Sequence, residues 1–304
     1  MTIFQTAVNA EGYLHPLYAQ SFSDFGTPIF LPNSKGWLIK RRIFNSPYFD
    51  AMGPYPLFFC KDWDLLIDDL EALREQIVSV SLVISPFSVF PKEAFESYFD
   101  PFHTYKPHYI LDLSLPLNST ISKNKRRNAS RALREISIDL IKSPNIDLFE
   151  WFDLYQKLIK RHHISGIRAF SHDSFKNQIA IPNTHYFRAF HGNSIVGGNL
   201  FYIQGDVAYA HLSAFTEVGY RTGAPYAIKW VALIYLSDIV RWVNFGGSPD
   251  VENGKKTGLD QFKLGWSNSS EHSFFCGKIL NESIYHDLVS SLKTSDMSFF
   301  PAYR

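Results

Sequence analysis

Between Tyr186 and Thr216 three strand-like segments follow one another with almost nothing between them. They are Tyr186–His191, Ser194–Ile203 and Val207–Thr216, joined by His191-Gly192-Asn193 and Gln204-Gly205-Asp206. Joints this short, each carrying a glycine, close antiparallel hairpins. The middle of the chain is therefore an antiparallel meander, and the rest must pack around it. Before it, Ile136–Ile141 alternates as a strand. Residues 146–164 repeat at helical spacing, with Leu148, Phe152, Tyr155, Leu158, Ile159 and His162 on one face, and Phe175 and Ile179 mark a second short helix. After it come a loop from Glu217 to Ala224, then a helix from Pro225 to about Val240, with proline in its first turn. A strand at Trp242–Phe245, a short helix from Gly258 and a strand at Ser273–Ile279 complete the run. Strands and helices mixed in this rhythm predict an α/β protein with mixed sheets.

The first half is patterned more loosely. Trp37–Arg42 reads as a strand. Residues 45–56 hold three prolines and a glycine, which predicts an ordered aromatic loop or edge segments and excludes both a helix and a central strand. A helix is expected over Asp62–Ile77, a strand over Val78–Ile84, a short helix over Glu93–Phe99 and a strand over Tyr109–Leu113. With 304 residues, about two domains are expected. They divide as 1–135, ending in a basic linker helix at about 119–135, and 136–304. Net charge is +1, so any basic site must be local. Cys60 and Cys276 have no metal-ligand spacing and form no disulfide framework, so no metal is expected. The N-terminus does not read as a signal peptide. No apolar run is long enough to span a membrane, and a cytoplasmic location is expected.

Two segments carry chemistry. Lys123, Lys125, Arg126, Arg127, Arg131 and Arg134 fall on one predicted helix with no acidic residue among them. This patch is either a site for the phosphates of a nucleotide, coenzyme A or RNA, or an ordinary solvated face. The second segment runs from Trp242 to Trp266. It contains Gly246-Gly247 and then Gly258-Leu259-Asp260-Gln261-Phe262-Lys263, with Gly265 as the helix stop. Leu259, Phe262 and Trp266 share a face, and Lys263 lies beside it. A lysine at that edge is partly desolvated and suited to neutralise an oxyanion; the alternative is a snorkelling side chain with glycines serving turns. Lys255 and Lys256 in the intervening loop are candidates for phosphate contact or for plain exposure.

Three motifs in order resemble the FemAB-like family of acyl- and aminoacyltransferases. They are Ser122-Lys123-Asn124-Lys125-Arg126-Arg127-Asn128, then Phe245-Gly246-Gly247-Ser248 with Gly258-Leu259-x-x-Phe262-Lys263-x-Gly265, and upstream Ser46-Pro47-Tyr48-Phe49-Asp50-Ala51-Met52-Gly53-Pro54. The element order over 136–279 is also similar to that of GNAT-type acyltransferases, whose phosphate loop Arg221-Thr222-Gly223-Ala224 matches in part. The resemblance implies two tandem GNAT-type domains, the first degenerate in cofactor binding. It implies transfer of an acyl group from acyl-CoA, acetyl-CoA foremost, or from an aminoacyl-tRNA. The acceptor would be an amine on a small molecule, glycan or peptide, such as an amino sugar or nucleotide sugar in cell-envelope or polysaccharide biosynthesis. Lys263 would stabilise the oxyanion, and His211 or Glu217 would accept the proton, although His211 reads equally as a satisfied strand histidine. Ser213, Arg221, Gly223, Ala224, Gly246 and Gly247 would hold the donor. Tyr48, Tyr55, Arg126, Arg127, Tyr220 and Tyr226 would meet the substrate. The competing reading is a non-catalytic member of the same fold that binds a nucleotide or glycan.

Overall fold

A computed structural model describes residues 10–247, 257–291 and 299–304; Lys255 and Lys256 lie outside the described residues. In chain order the elements are α1 (Pro16–Gln20), β1 (Thr27–Phe30), β2 (Trp37–Arg42), β3 (Phe49–Met52), α2 (Leu66–Glu71), β4 (Ser79–Ile84), α3 (Lys92–Tyr98) and β5 (Phe102–Asp112). There follow α4 (Leu117–Thr120), α5 (Lys123–Ala132), β6 (Ile136–Lys142), α6 (Leu148–His162), α7 (His172–Ile179), β7 (Thr184–His191), β8 (Ser194–Gln204) and β9 (Val207–Phe215). The last are α8 (Glu217–Thr222), α9 (Ala224–Leu236), β10 (Trp242–Asn244), α10 (Gly258–Leu264), β11 (Ser269–Ile279) and α11 (Glu282–Ser290).

The chain divides into two compact units, Met1–Lys106 with His272–Arg304, and Pro107–Glu271. A single cut at 135/136 is therefore not where its contacts separate. The reason lies in packing. Helix α5 buries Ala129 and Ala132 in the core built around α9, which draws it into the second unit. Tyr285 and Tyr303 near the C-terminus pack on Ile43 and Val78, which places them in the first.

In the first unit β1, β2 and β3 pair antiparallel, β3 joins β4 in parallel, and β4 pairs antiparallel with β11. Leu38, Val80, Leu82 and Ile84 meet Leu66, Leu70 and Phe95 in its core. Strand β3 corrects the expectation for residues 45–56. It is bonded on both sides, because Pro47, Pro54 and Pro56 flank the four residues that pair and none falls inside them. The helix expected over Asp62–Ile77 contracts to α2, and the residues on either side are turns.

In the second unit the meander is as expected. β7, β8 and β9 pair antiparallel, with β6 on the β7 side. β10 pairs in parallel with β9 and antiparallel with β5. Gly192 and Gly205 take φ of 58° and 56° in the two hairpin turns, the left-handed region that glycine enters at no steric cost. Helix α9 lays Ala224, Ala227, Ile228, Ala232 and Leu233 over Phe187, Phe201, Ala208 and Val243. Three local expectations shift here. The loop after β9 is the helix α8, capped by the Thr216 side chain on the Gly219 N–H and ended by Gly223 at φ 81°. The buried face of α6 is Trp151, Leu154 and Tyr155, with His162 exposed. Helix α5 stops at Ala132, short of the end expected at about 135, which leaves Leu133 exposed, and β6 begins at Ile136 as expected. No helix among the described residues is long and apolar enough to cross a membrane.

Candidate active site

Helix α10 begins with a reciprocal cap. Thr257 Oγ1 accepts from Asp260 N–H, while Asp260 Oδ2 accepts from the Thr257 N–H and hydroxyl. Such a box satisfies two otherwise orphaned donors and fixes where the helix starts. Asp260 is buried, and its other oxygen accepts from Tyr109 OH at 2.9 Å. With its first turn pinned, α10 carries the half-buried Lys263 to the turn after β10. There Lys263 Nζ donates to Gly247 O at 2.6 Å and to Gly246 O at 3.3 Å. Gly246 has φ 72°, a conformation costly for a residue with a Cβ. The paired glycines and the lysine, two separate pieces of one sequence motif, thus form a single structure. Burial lowers the Lys263 ammonium to about 8 against the opposing pull of Asp260.

A second lysine lies close enough to feel the first. Lys229 of α9 is only 9% exposed. Its Nζ donates to Asn199 Oδ1 at 3.2 Å and sits over the rings of Phe201 and Phe245 at 5.2 and 4.8 Å. Burial, and then repulsion from Lys263, brings it down to about 7. Asn199 Nδ2 is tied in turn to the carbonyl of Leu212 at 2.9 Å. Buried ammonium groups are ordinarily paired with carboxylates, so two lysines this close, with Asp260 as the acidic group that opposes Lys263, form an electropositive centre. Nothing in the sequence marks Lys229. A lysine inside Ala224-Pro225-Tyr226-Ala227-Ile228-Lys229-Trp230-Val231 reads as a solvent-reaching side chain, and only the packing of α9 buries it.

No family model matches this chain, and no curated protein does. Solved structures do. FemX aligns with a TM-score of 0.66 over 90% of this chain and 93% of its own, at 12% identity. The C-terminal domain of a putative lysylphosphatidylglycerol synthetase from Agrobacterium fabrum gives 0.62 over 90% and 87%, at 14% identity. L-PGS from Bacillus licheniformis gives 0.61 over 92% and 96%, at 12% identity.

This chain has the FemX fold. The α/β, FemAB-like architecture expected from the sequence holds at the level of fold.

Within that FemX fold the other candidate residues scatter. Tyr226 stays near the centre. It faces Phe262 at 5.3 Å between ring centroids, and Lys125 Nζ lies over both rings at 5.3 and 4.6 Å. Ser122, Asn124, Lys125, Tyr226, Gln261 and Phe262 line an open pocket of about 650 Å³. Arg126 is held by its Nε on the Ile121 carbonyl, and Arg127 is exposed. Tyr220 belongs to a different cluster, where the Arg161 guanidinium stacks on its ring at 4.5 Å and pairs with Glu217. Glu217 is thus an exposed ion-pair partner. His211 is buried. It stacks on Tyr202 at 4.4 Å, meets Gln178 Oε1 through Nε2 at 3.1 Å, and burial lowers it to about 3. Tyr202 follows Phe201 along β8, and neighbouring strand residues point to opposite faces. His211 therefore lies on the sheet face away from Lys229, which matches the satisfied strand histidine. Ser213 is exposed on β9, and Arg221 is exposed on α8.

Gly223 and Ala224 were expected to offer helix N–H groups to a pyrophosphate. Ala224 is fully buried, and a Cβ on Gly223 would stand 3.1 Å from Ala132 Cβ of α5. That packing buries the start of α9 at Ala224, and at the start of α8 the Gly219 N–H donates to Thr216 Oγ1. The Ala224 N–H is therefore not open to a coenzyme A pyrophosphate. Tyr48 and Tyr55 belong to the first unit. Tyr48 is 40% exposed, and Tyr55 gives its carbonyl to the Tyr18 hydroxyl. No cluster of three or more His, Cys, Asp or Glu that could hold a metal occurs among the described residues.

Proposed function

We propose that this chain is an enzyme that transfers an acyl or aminoacyl group from an activated ester or thioester to an amine. The observation that carries the reading is the anchoring of Lys263. An ammonium has three N–H donors, and two of those on Lys263 rest on glycine carbonyls. The third has no partner among the described residues and can meet an oxyanion in a desolvated site, where such a contact is strongest. The attacking amine forms a C–N bond to the donor carbonyl, whose oxygen gains the charge that Lys263 neutralises. The tetrahedral species collapses with cleavage of the C–O or C–S bond. The leaving group departs with that electron pair and takes up the proton that the amine loses.

Closure of the α9 start favours an aminoacyl ester, such as an aminoacyl-tRNA, over acyl-CoA as donor. The unbalanced basic helix α5 beside the Tyr226–Phe262 pocket supports the same choice, because it offers cations to a phosphate backbone. The acceptor we propose is an amine of a sugar, nucleotide sugar or peptide of the cell envelope. Calorimetric titration with acetyl-CoA, CoA and deacylated tRNA tests the donor. Binding of tRNA alone is the expected result. Micromolar binding of acetyl-CoA alone would reassign the donor to a thioester. Silence toward all three would leave a non-catalytic binder as the better account.

A further inference from the structure

Lys263 is useful only if its ammonium stands in one place, and a chain of hydrogen bonds accounts for that place. The chain starts on β5, far from Lys263 in sequence. His108 Nδ1 lies 3.1 Å from Asn244 Oδ1, and Gly246 N–H donates to the same Oδ1 at 2.8 Å. A backbone N–H can only donate, so the Asn244 atom it meets is the oxygen, and His108 Nδ1 must carry a hydrogen to share it. Both His108 and Asn244 are buried, at 5% and 1% exposure. The Asn244 side chain thereby folds over its own turn and holds Gly246 in the left-handed conformation that presents two carbonyls to Lys263. Tyr109, the next residue of β5, works on the other half. Its N–H and C=O bond Gly246 O and Phe245 N at 3.4 and 2.9 Å, and its hydroxyl holds Asp260 in the first turn of α10.

We infer that the His108–Tyr109 pair, acting through Asn244 and Asp260, is the positioning device of Lys263. One side chain sets the glycine turn, the other sets the helix, and Lys263 spans the gap between them. Neither residue is assigned a contact with substrate. The mechanistic value of the device rests on the proposed role of Lys263, but the device itself is testable without any substrate.

The test is a pH titration of the full chain labelled with [ε-13C]lysine and followed by NMR, with the Lys263 signal assigned by its loss in Lys263→Arg. In the wild type Lys263 is expected to titrate near 8. Asn244→Ala and His108→Leu release the turn, so the Lys263 midpoint should move by about a unit or more, upward where the ammonium reaches water and downward where it stays buried without its carbonyl acceptors. His108→Gln keeps a donor for Asn244 Oδ1 and should hold the wild-type midpoint. Amide signals of the β7–β9 meander report whether each variant is folded. An unchanged Lys263 midpoint in folded Asn244→Ala would overturn the inference, as would His108→Gln behaving like His108→Leu. A wild-type Lys263 that titrates as an ordinary lysine would also overturn it. Failure of donor binding in the calorimetric experiment would sink the transferase reading and leave this result standing.

Discussion

The two units bury charge in opposite ways. In the first, Asp50 and Asp69 are fully buried carboxylates with every oxygen engaged. Asp50 accepts two bonds from Arg41 at 3.1 Å and two from Arg304 at 2.8 Å. Asp69 accepts from the N–H groups of Asn33 and Ser34 and from both of their side chains. In the second, Lys229 is buried with an amide oxygen and two aromatic faces, and Lys263 rests on neutral carbonyls. A buried charge with a complete set of partners is part of the scaffold. One with few partners among the described residues costs stability and is a candidate for function.

The contrast can be broken from either side. Asp50→Ala should have the largest effect on stability, about 3–5 kcal/mol, because it strands two guanidinium groups at once; urea unfolding measures it. In the second unit Lys263→Ala should slow transfer by about 10²–10³-fold with stability little changed, as expected for removal of one oxyanion donor. The wild-type rate should itself fall as pH rises through about 8, because the oxyanion loses its cation there. An alkaline limb that persists in Lys263→Ala would assign that limb to another group.

Lys229→Met should act in the opposite sense to Asp50→Ala, raising stability at pH 6.5 by about 1–4 kcal/mol. The sign follows from linkage. Between about 7 and the ordinary lysine value of about 10.5, the unfolded chain holds a proton on Lys229 that the folded chain does not, so stability rises with pH across that window. The methionine variant should lose this slope, which unfolding at pH 6.5 and 9.5 would show. The smallest effect belongs to Gly265→Ala. Its Cβ would fall 2.3 Å from Lys125 Cε, near the movable end of that side chain. Lys125 should swing off Tyr226 and Phe262 at a cost of about 1 kcal/mol or less, seen as a small shift in the thermal midpoint.

These effects differ also in how far they were legible in the sequence. The meander was readable because both of its turns carry a glycine where the left-handed region is required. The helix that carries Lys263 was readable because its apolar face and its stop lie close together, between Gly258 and Gly265, while its cap at Thr257 was not. The resemblance put Gly246 and Gly247 in one motif with Lys263 but gave those glycines to the donor; that their carbonyls hold the lysine is seen only in the fold. Lys229 was hidden, since burial of one face of an apolar helix depends on what packs there. His108 and Asn244 were hidden for another reason. They stand 136 residues apart, and nothing local marks either as the partner of the other. His211, expected as one of two proton acceptors, lies on the sheet face away from Lys229, and strand alternation alone does not say which face a residue takes. The register between β8 and β9 slips beside it, at Leu200/Phe201.

The division of the chain has a consequence for synthesis. Pro107–Glu271 is complete before His272–Arg304 leaves the ribosome, and Phe274–Ile279 supplies the antiparallel partner of Ser79–Ile84. A growing chain therefore closes its lysine-bearing unit first. Throughout that interval the edge of β4 stands open, and an unpaired strand edge is a template for wrong partners. The hazard in making this protein falls on the unit whose buried carboxylates are fully hydrogen-bonded, and it ends when Phe274–Ile279 adds its strand.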